Sequence, residues 1–149
     1  MFKKIVTGIA LLALSTSPLQ SKDQSDIQAD DASVMCMAKN IYYEAEGESL
    51  TGKLAVAKVT LNRVASPRFP ETVCGVVYQK YQFSWTLNHK RKIRNLAAWQ
   101  ESLNLARDAM YNGLPELESF EALYFHNKQV NPKWGLKRVA TIGNHIFYK

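Results

Sequence analysis

The sequence predicts a mainly α (α+β) single domain with a small β element near its C-terminus. Three observations carry this expectation. Apolar residues recur at helical spacing through most of the chain, β-branched and aromatic residues crowd residues 122–148, and 149 residues with 46% hydrophobic content suit one core. Seven glycines and five prolines exclude collagen-like and low-complexity chains.

Residues 1–21 read as an export signal. Lys3 and Lys4 form a basic start, an apolar stretch covers residues 5–14, and residues 15–21 are small and polar. Ten apolar residues fall short of the roughly 20 that cross a bilayer, so no transmembrane segment is expected in the mature form. A short buried helix is the alternative reading. Residues 22–31 set four aspartates against Lys22 and read as an acidic flexible spacer, leaving residues 32–149 as the folded domain. The net charge of +6 divides into +2 on the leader, −3 on the spacer and +7 on the domain, which suits an anionic partner. Two cysteines, Cys36 and Cys74, favour a disulfide in an exported chain, with two reduced buried thiols as the alternative.

The elements follow in order. Val34, Ala38, Ile41 and Ala45 step along one helical stripe, so a first helix is expected from about Ala32, capped by Asp31 or Ser33 and ended by Gly47. Ser49 or Thr51 can cap a second helix running to about Arg63. Its stripe of Leu50, Leu54, Ala57 and Leu61, widened by Ala55, Val56 and Val59, makes it apolar around much of its circumference and places it mid-domain. Ser66-Pro67-Arg68-Phe69-Pro70 breaks the pattern, and a short helix is expected over residues 72–78. Residues 80–95 read as a long exposed loop carrying Tyr81, Phe83 and Trp85, then the basic run His89-Lys90-Arg91-Lys92-Ile93-Arg94. Trp99, Leu103, Ala106 and Met110 mark another helix, punctuated by Gly113 and Pro115. Residues 122–125 and 139–148 read as short strands around an Asn131-Pro132-Lys133-Trp134 turn.

Chemistry concentrates in Tyr42-Tyr43-Glu44-Ala45-Glu46-Gly47-Glu48. Glu44 follows Ile41 by three residues, so it borders the apolar stripe and is expected to be partly withdrawn from water. Desolvation disfavours the carboxylate and lifts the pKa toward roughly 6, as a general acid near neutrality requires. Glu46 is rotated by about 200° and is expected to face solvent or another element. Glu48 lies one turn beyond Glu44, placed either to raise its proton affinity further or to pair with Lys53. A solvated acidic turn is the alternative reading of all three. His126 and His145 lack the close spacing of a metal site, and no GxSxG or phosphate-binding glycine loop occurs, so no metal and no cofactor is expected. The basic run with its aromatics could touch nucleic acid, but an exported chain rarely meets it, and no nucleic-acid partner is expected.

At this point the sequence resembles the germination-type, or SleB-type, cell wall hydrolases. The resemblance is carried by Ala38-Lys39-Asn40-Ile41-Tyr42-Tyr43-Glu44-Ala45-Glu46-Gly47-Glu48, by Gly52 through Leu61-Asn62-Arg63-Val64, and by Phe69-Pro70-Glu71-Thr72-Val73-Cys74-Gly75-Val76-Val77-Tyr78-Gln79. Gln82-Phe83-Ser84-Trp85, Ala122-Leu123-Tyr124-Phe125-His126-Asn127 and Ala140-Thr141-Ile142-Gly143-Asn144-His145-Ile146-Phe147-Tyr148 continue it in order. It implies a lysozyme-like, transglycosylase-like domain that cuts peptidoglycan between N-acetylmuramic acid and N-acetylglucosamine, with Glu44 as the catalytic acid. It also supports a Cys36–Cys74 bridge.

Without an obvious second carboxylate aimed across a cleft, a lytic transglycosylase is favoured over a muramidase-type hydrolase; a non-catalytic wall-binding module is a further reading. Phe83, Trp85, Tyr124 and Trp134 are candidates to stack on sugar rings, and Gln82, Ser84, Asn127 and Asn144 to bind acetamido groups. His126 and His145 rank below them. The basic run at 90–94 is outside the resemblance, and no peptidoglycan-binding repeat precedes the domain, so wall affinity is expected from the domain itself. The expected protein is an exported monomer, periplasmic or extracellular, with peptidoglycan as its partner.

Overall fold

The computed structural model describes residues 22–88 and 90–149, and the export signal read at residues 1–21 lies outside them. Four α-helices, α1 (Lys22–Ala45), α2 (Leu50–Val64), α3 (Val73–Val77) and α4 (Leu96–Tyr111), precede three strands, β1 (Tyr124–Asn127), β2 (Arg138–Ile142) and β3 (His145–Tyr148). Short 3-10 turns sit at Ser84–Leu87 and Pro115–Leu117.

Helix α1 starts ten residues before the expected point, so the segment read as a flexible spacer at 22–31 is helical. Farther along, Val34, Met37, Ala38, Ile41 and Ala45 are buried, as the stripe predicts. All of these but Ala45 join Leu54 and Ala57 of α2, Val73 and Val77 of α3 and Ala106 and Ala109 of α4 in the main core.

Helix α2 is central, with residues buried around most of its circumference. Ser49 caps it, its hydroxyl accepting from the Gly52 N–H at 3.3 Å. A second core packs Ala55 and Val59 against Phe120, Ala122 and Phe147, joining α2 to the sheet. The strands are antiparallel in the order β1-β3-β2, with Phe125 opposite Phe147 and a bulge between Arg138 and Ala140. The C-terminal half of α2 fastens the approach to β1: Asn62 donates to the Phe120 and Ala122 carbonyls, and Arg63 Nε to that of Leu123 at 2.7 Å.

The segment expected as an exposed loop at 80–95 is instead anchored inside. Phe83 and Trp85 are buried in the main core. The Trp85 indole donates to Asn40 Oδ1 at 3.2 Å, and Asn40 Nδ2 donates to Thr60 Oγ1 at 3.3 Å. Three polar groups buried in apolar surroundings are thus mutually satisfied, which removes most of the cost of burying them. Cys36 of α1 and Cys74 of α3 form a disulfide with Cα atoms 5.3 Å apart. Among the described residues, no helix is long and apolar enough to cross a membrane.

Candidate active site

Glu44 sits in the last turn of α1 at the head of a cleft of about 300 Å³. The helix period that buries Ile41 and Ala45 turns Glu44 into this cleft, where it is only partly exposed. Burial pushes its pKa up to about 7, opposed by the nearby positive charge of Arg91. Near neutrality this carboxyl can therefore both give and take a proton.

Two walls face each other across this acid. One is the 82–84 segment with Gln82, Phe83 and Ser84; the other is the sheet, contributing Phe125, His126, Asn127 and His145. Tyr43 and Arg91 close one end. An adjoining cavity of about 500 Å³ carries Tyr81, Tyr124, Trp134 and Leu136, and shares Arg63, Gln82, Phe125 and His126 with the first.

The candidates thus separate. Gln82, Ser84, Asn127, His126 and His145 come together beside Glu44, and Tyr124 and Trp134 lie in the extension. Phe83 reaches the cleft but is almost wholly buried, so it supports the wall and offers no open ring face. Trp85 faces Tyr43 and Tyr78 with ring centroids 4.8 and 5.7 Å away and lies outside both cavities. Asn144 also lies outside the cleft, its backbone N–H donating to Glu48 Oε2 at 3.0 Å.

That bond corrects the expectation for Glu48, which pairs with the β2–β3 turn and not with Lys53. Lys53 instead meets Glu101 of α4 at 2.7 Å. Glu46 faces outward and is exposed, as expected. The turn approaches Glu48 so closely that a Cβ on Gly143 would lie 1.8 Å from Glu48 Oε2, at a backbone φ of +55°. Gly143→Ala is expected to lower stability by about 2 kcal/mol, the cost of a left-handed alanine plus the displaced carboxylate. In a Glu48→Ala background the alanine should cost less, as a double-mutant cycle in urea would reveal.

Arg63, Arg91, Tyr43 and His145 matter more to the site than the sequence suggested. Arg63 is buried beneath the cleft, its guanidinium 5.1 Å from the Phe69 ring centre, 5.5 Å from Phe83 and 5.7 Å from Tyr124. Burial lowers its pKa, yet a guanidinium stays charged at neutral pH. The available signal was a cation four residues after Val59 on a helix apolar almost all round. His126 Nδ1 lies 2.8 Å from the Asn127 carbonyl, which can only accept, so this nitrogen donates, while Nε2 lies 3.0 Å from the Tyr148 hydroxyl. Burial also lowers the pKa of His145, while Glu48 acts the other way.

The helix-rich body with its small antiparallel sheet is a lysozyme-like domain. Its fold matches the crystal structure of the catalytic domain of the Bacillus cereus SleB protein with a TM-score of 0.62 and 32% identity, over 82% of this chain and 91% of that one. The catalytic domain of the germination-specific lytic transglycosylase SleB from Bacillus anthracis matches with a TM-score of 0.63 and 28% identity, over 90% and 100%. The sequence profile of the cell wall hydrolase family matches residues 47–148, and the chain belongs to that family. The match begins three residues after Glu44.

Among curated relatives, the spore cortex-lytic enzyme of Oceanobacillus iheyensis is 34% identical over 134 residues, covering 87% of this chain and 44% of the relative. That of Bacillus subtilis strain 168 is 28% identical over 143 residues, covering 89% and 45%. The chain therefore spans less than half the length of these relatives.

Proposed function

We propose that the protein is a lytic transglycosylase that cuts peptidoglycan between N-acetylmuramic acid and N-acetylglucosamine, with Glu44 as both acid and base. One observation carries this reading: among the described residues, Glu44 is the only carboxyl group lining the cleft. A retaining glycosidase needs a second carboxylate roughly 5 Å away, and an inverting one needs it at roughly 6.5–9.5 Å. Glu48 is occupied by the Asn144 N–H, and Glu46 lines the neighbouring basin and not the cleft. In the transglycosylase route, protonated Glu44 donates to the glycosidic oxygen as that bond breaks. The resulting carboxylate then accepts the proton of the muramic acid 6-hydroxyl, whose oxygen bonds to C1. One bond is made for one broken, the proton returns to Glu44, and no second carboxylate is used.

Gln82, Ser84 and Asn127 are the groups we assign to acetamido recognition, with Tyr124 and Trp134 as sugar platforms along the extension. Residues 32–149 would be the catalytic domain, exported behind the 1–21 signal and acting as a monomer on the wall. Mass analysis of digested purified peptidoglycan tests the reaction: 1,6-anhydromuramic ends are expected, and purely reducing ends would overturn the route.

The pH profile follows from Glu44. Because the protonated form must start the reaction, kcat/KM should be level well below pH 7, bend downward around it and fall about tenfold per unit well above it. Arg91 holds the Glu44 pKa down, so Arg91→Gln should move this alkaline limb to higher pH.

A further inference from the structure

A basic basin adjoins the Glu44 cleft. It encloses about 500 Å³ and is lined by Lys90, Arg91, Lys92 and Arg94, with Glu46 as its one carboxylate. Tyr43 and Arg91 line both spaces, so the basin opens directly beside the catalytic end of α1. Among the described residues the salt bridges are Lys53–Glu101 and Lys149–Glu121, so none of these four cations has a carboxylate within 4.0 Å.

A solvated basic loop would be tethered loosely, and this one is not. The phenol oxygen of Tyr42, itself buried, accepts from the Arg94 and Asn95 N–H groups at 3.2 and 3.1 Å. Tyr43 donates its hydroxyl proton to the Arg91 carbonyl at 3.3 Å, and the Arg91 guanidinium lies 5.0 Å from the Tyr43 ring centre. The Asn88 side chain accepts from the Lys90 N–H at 3.2 Å. The helix that presents Glu44 thus also fixes the backbone of the basic run, which spares much of the ordering cost that a flexible loop would incur on binding.

We infer that this basin is a subsite for the free carboxylates of the peptide attached to the muramic acid, so that Lys90, Lys92 and Arg94 make the enzyme select peptide-bearing glycan over stripped strands. The inference rests on the proposed reaction. A muramic acid bound for attack at Glu44 carries its peptide on the lactyl group, as an anionic branch leaving the sugar beside the bond to be cut. A basin of cations next to the acid receives such a branch. The extension holding Tyr124 and Trp134 lies on the sheet side of the cleft and remains free for the sugars.

The test compares wild type with the triple variant Lys90→Gln/Lys92→Gln/Arg94→Gln on three substrates. These are peptide-bearing strands freed of phosphate polymers, the same strands stripped of peptide by an amidase, and walls that keep their phosphate polymers. An exposed ion pair contributes a factor of about 1.5–5, so losing three should raise KM roughly tenfold on peptide-bearing strands, with kcat little changed. On stripped strands the triple variant should match wild type, and the salt dependence of KM on peptide-bearing strands should flatten. Equal kinetics for the two proteins on peptide-bearing strands overturns the inference while leaving the reaction intact. A loss confined to polymer-bearing walls overturns it in favour of phosphate recognition. If wild type cleaves neither kind of strand, the proposed reaction fails and the inference falls with it.

Discussion

Glu44→Gln is expected to reduce peptidoglycan cleavage by about a thousandfold or more while leaving binding to sacculi nearly intact. The substitution keeps the shape of the side chain and removes its titratable proton, so both the donation to the leaving oxygen and the later proton acceptance are lost. Positioned acid–base groups typically contribute roughly 10²–10⁴ in rate, and in the proposed route one group serves both steps. Full activity in the variant would sink the assignment, and would favour disruption of anionic surfaces by the basic run.

The same substitution has a stability signature of opposite sign. The folded-state pKa of Glu44, about 7, lies above its unfolded value, so the folded chain binds the proton more tightly. Between about pH 4.5 and 7 this group therefore makes the protein less stable as pH rises, and above that range the cost is fully present. At pH 8 the variant should be the more stable protein by on the order of 3 kcal/mol, because every tenfold difference in proton affinity between the folded and unfolded chain is worth about 1.4 kcal/mol. At pH 4 the difference should vanish. Thermal unfolding at the two pH values measures it, and a pH-independent difference would show that Glu44 is not desolvated.

The second large effect lies away from the cleft. Replacing Cys36 and Cys74 together by alanine opens a loop with a sequence separation of 38, and should lower stability by about 4 kcal/mol in the chain-entropy model. The bridge ties α1 to α3 and lines no part of the Glu44 cleft. Activity measured well below the melting transition should therefore persist in the variant, with the midpoint of urea unfolding strongly reduced. Reducing the wild-type protein should reproduce that midpoint change. A variant inactive yet as stable as wild type would show that the bridge shapes the site instead.

Local periodicity made the helices and Glu44 legible. The step from Ile41 to Glu44 to Ala45 is set by one helix, so the position of the acid needed no tertiary information. What escaped the sequence depends on partners distant along the chain. Phe83 and Trp85 sit among polar and basic neighbours and look exposed, but their burial is decided by Asn40, Thr60 and Phe125. Lys53 looked like the partner of Glu48, five residues away. The cap at Ser49 starts a new helix axis between them, so Lys53 turns toward α4 and Glu48 toward the β2–β3 turn. Arg63 was read only as the end of α2, because the rings it meets come from Phe69, Phe83 and Tyr124, beyond the helix.

The last two turns of α1 carry Asn40, which holds Trp85, Tyr42 and Tyr43, which hold the basic run, and Glu44 itself. The proposed acid and the anchors of one wall and of the neighbouring basin are therefore spaced by helix rise, about 1.5 Å per residue. Fraying of these turns would release all three parts together. Heat or denaturant should then remove acid, wall and basin in a single cooperative step.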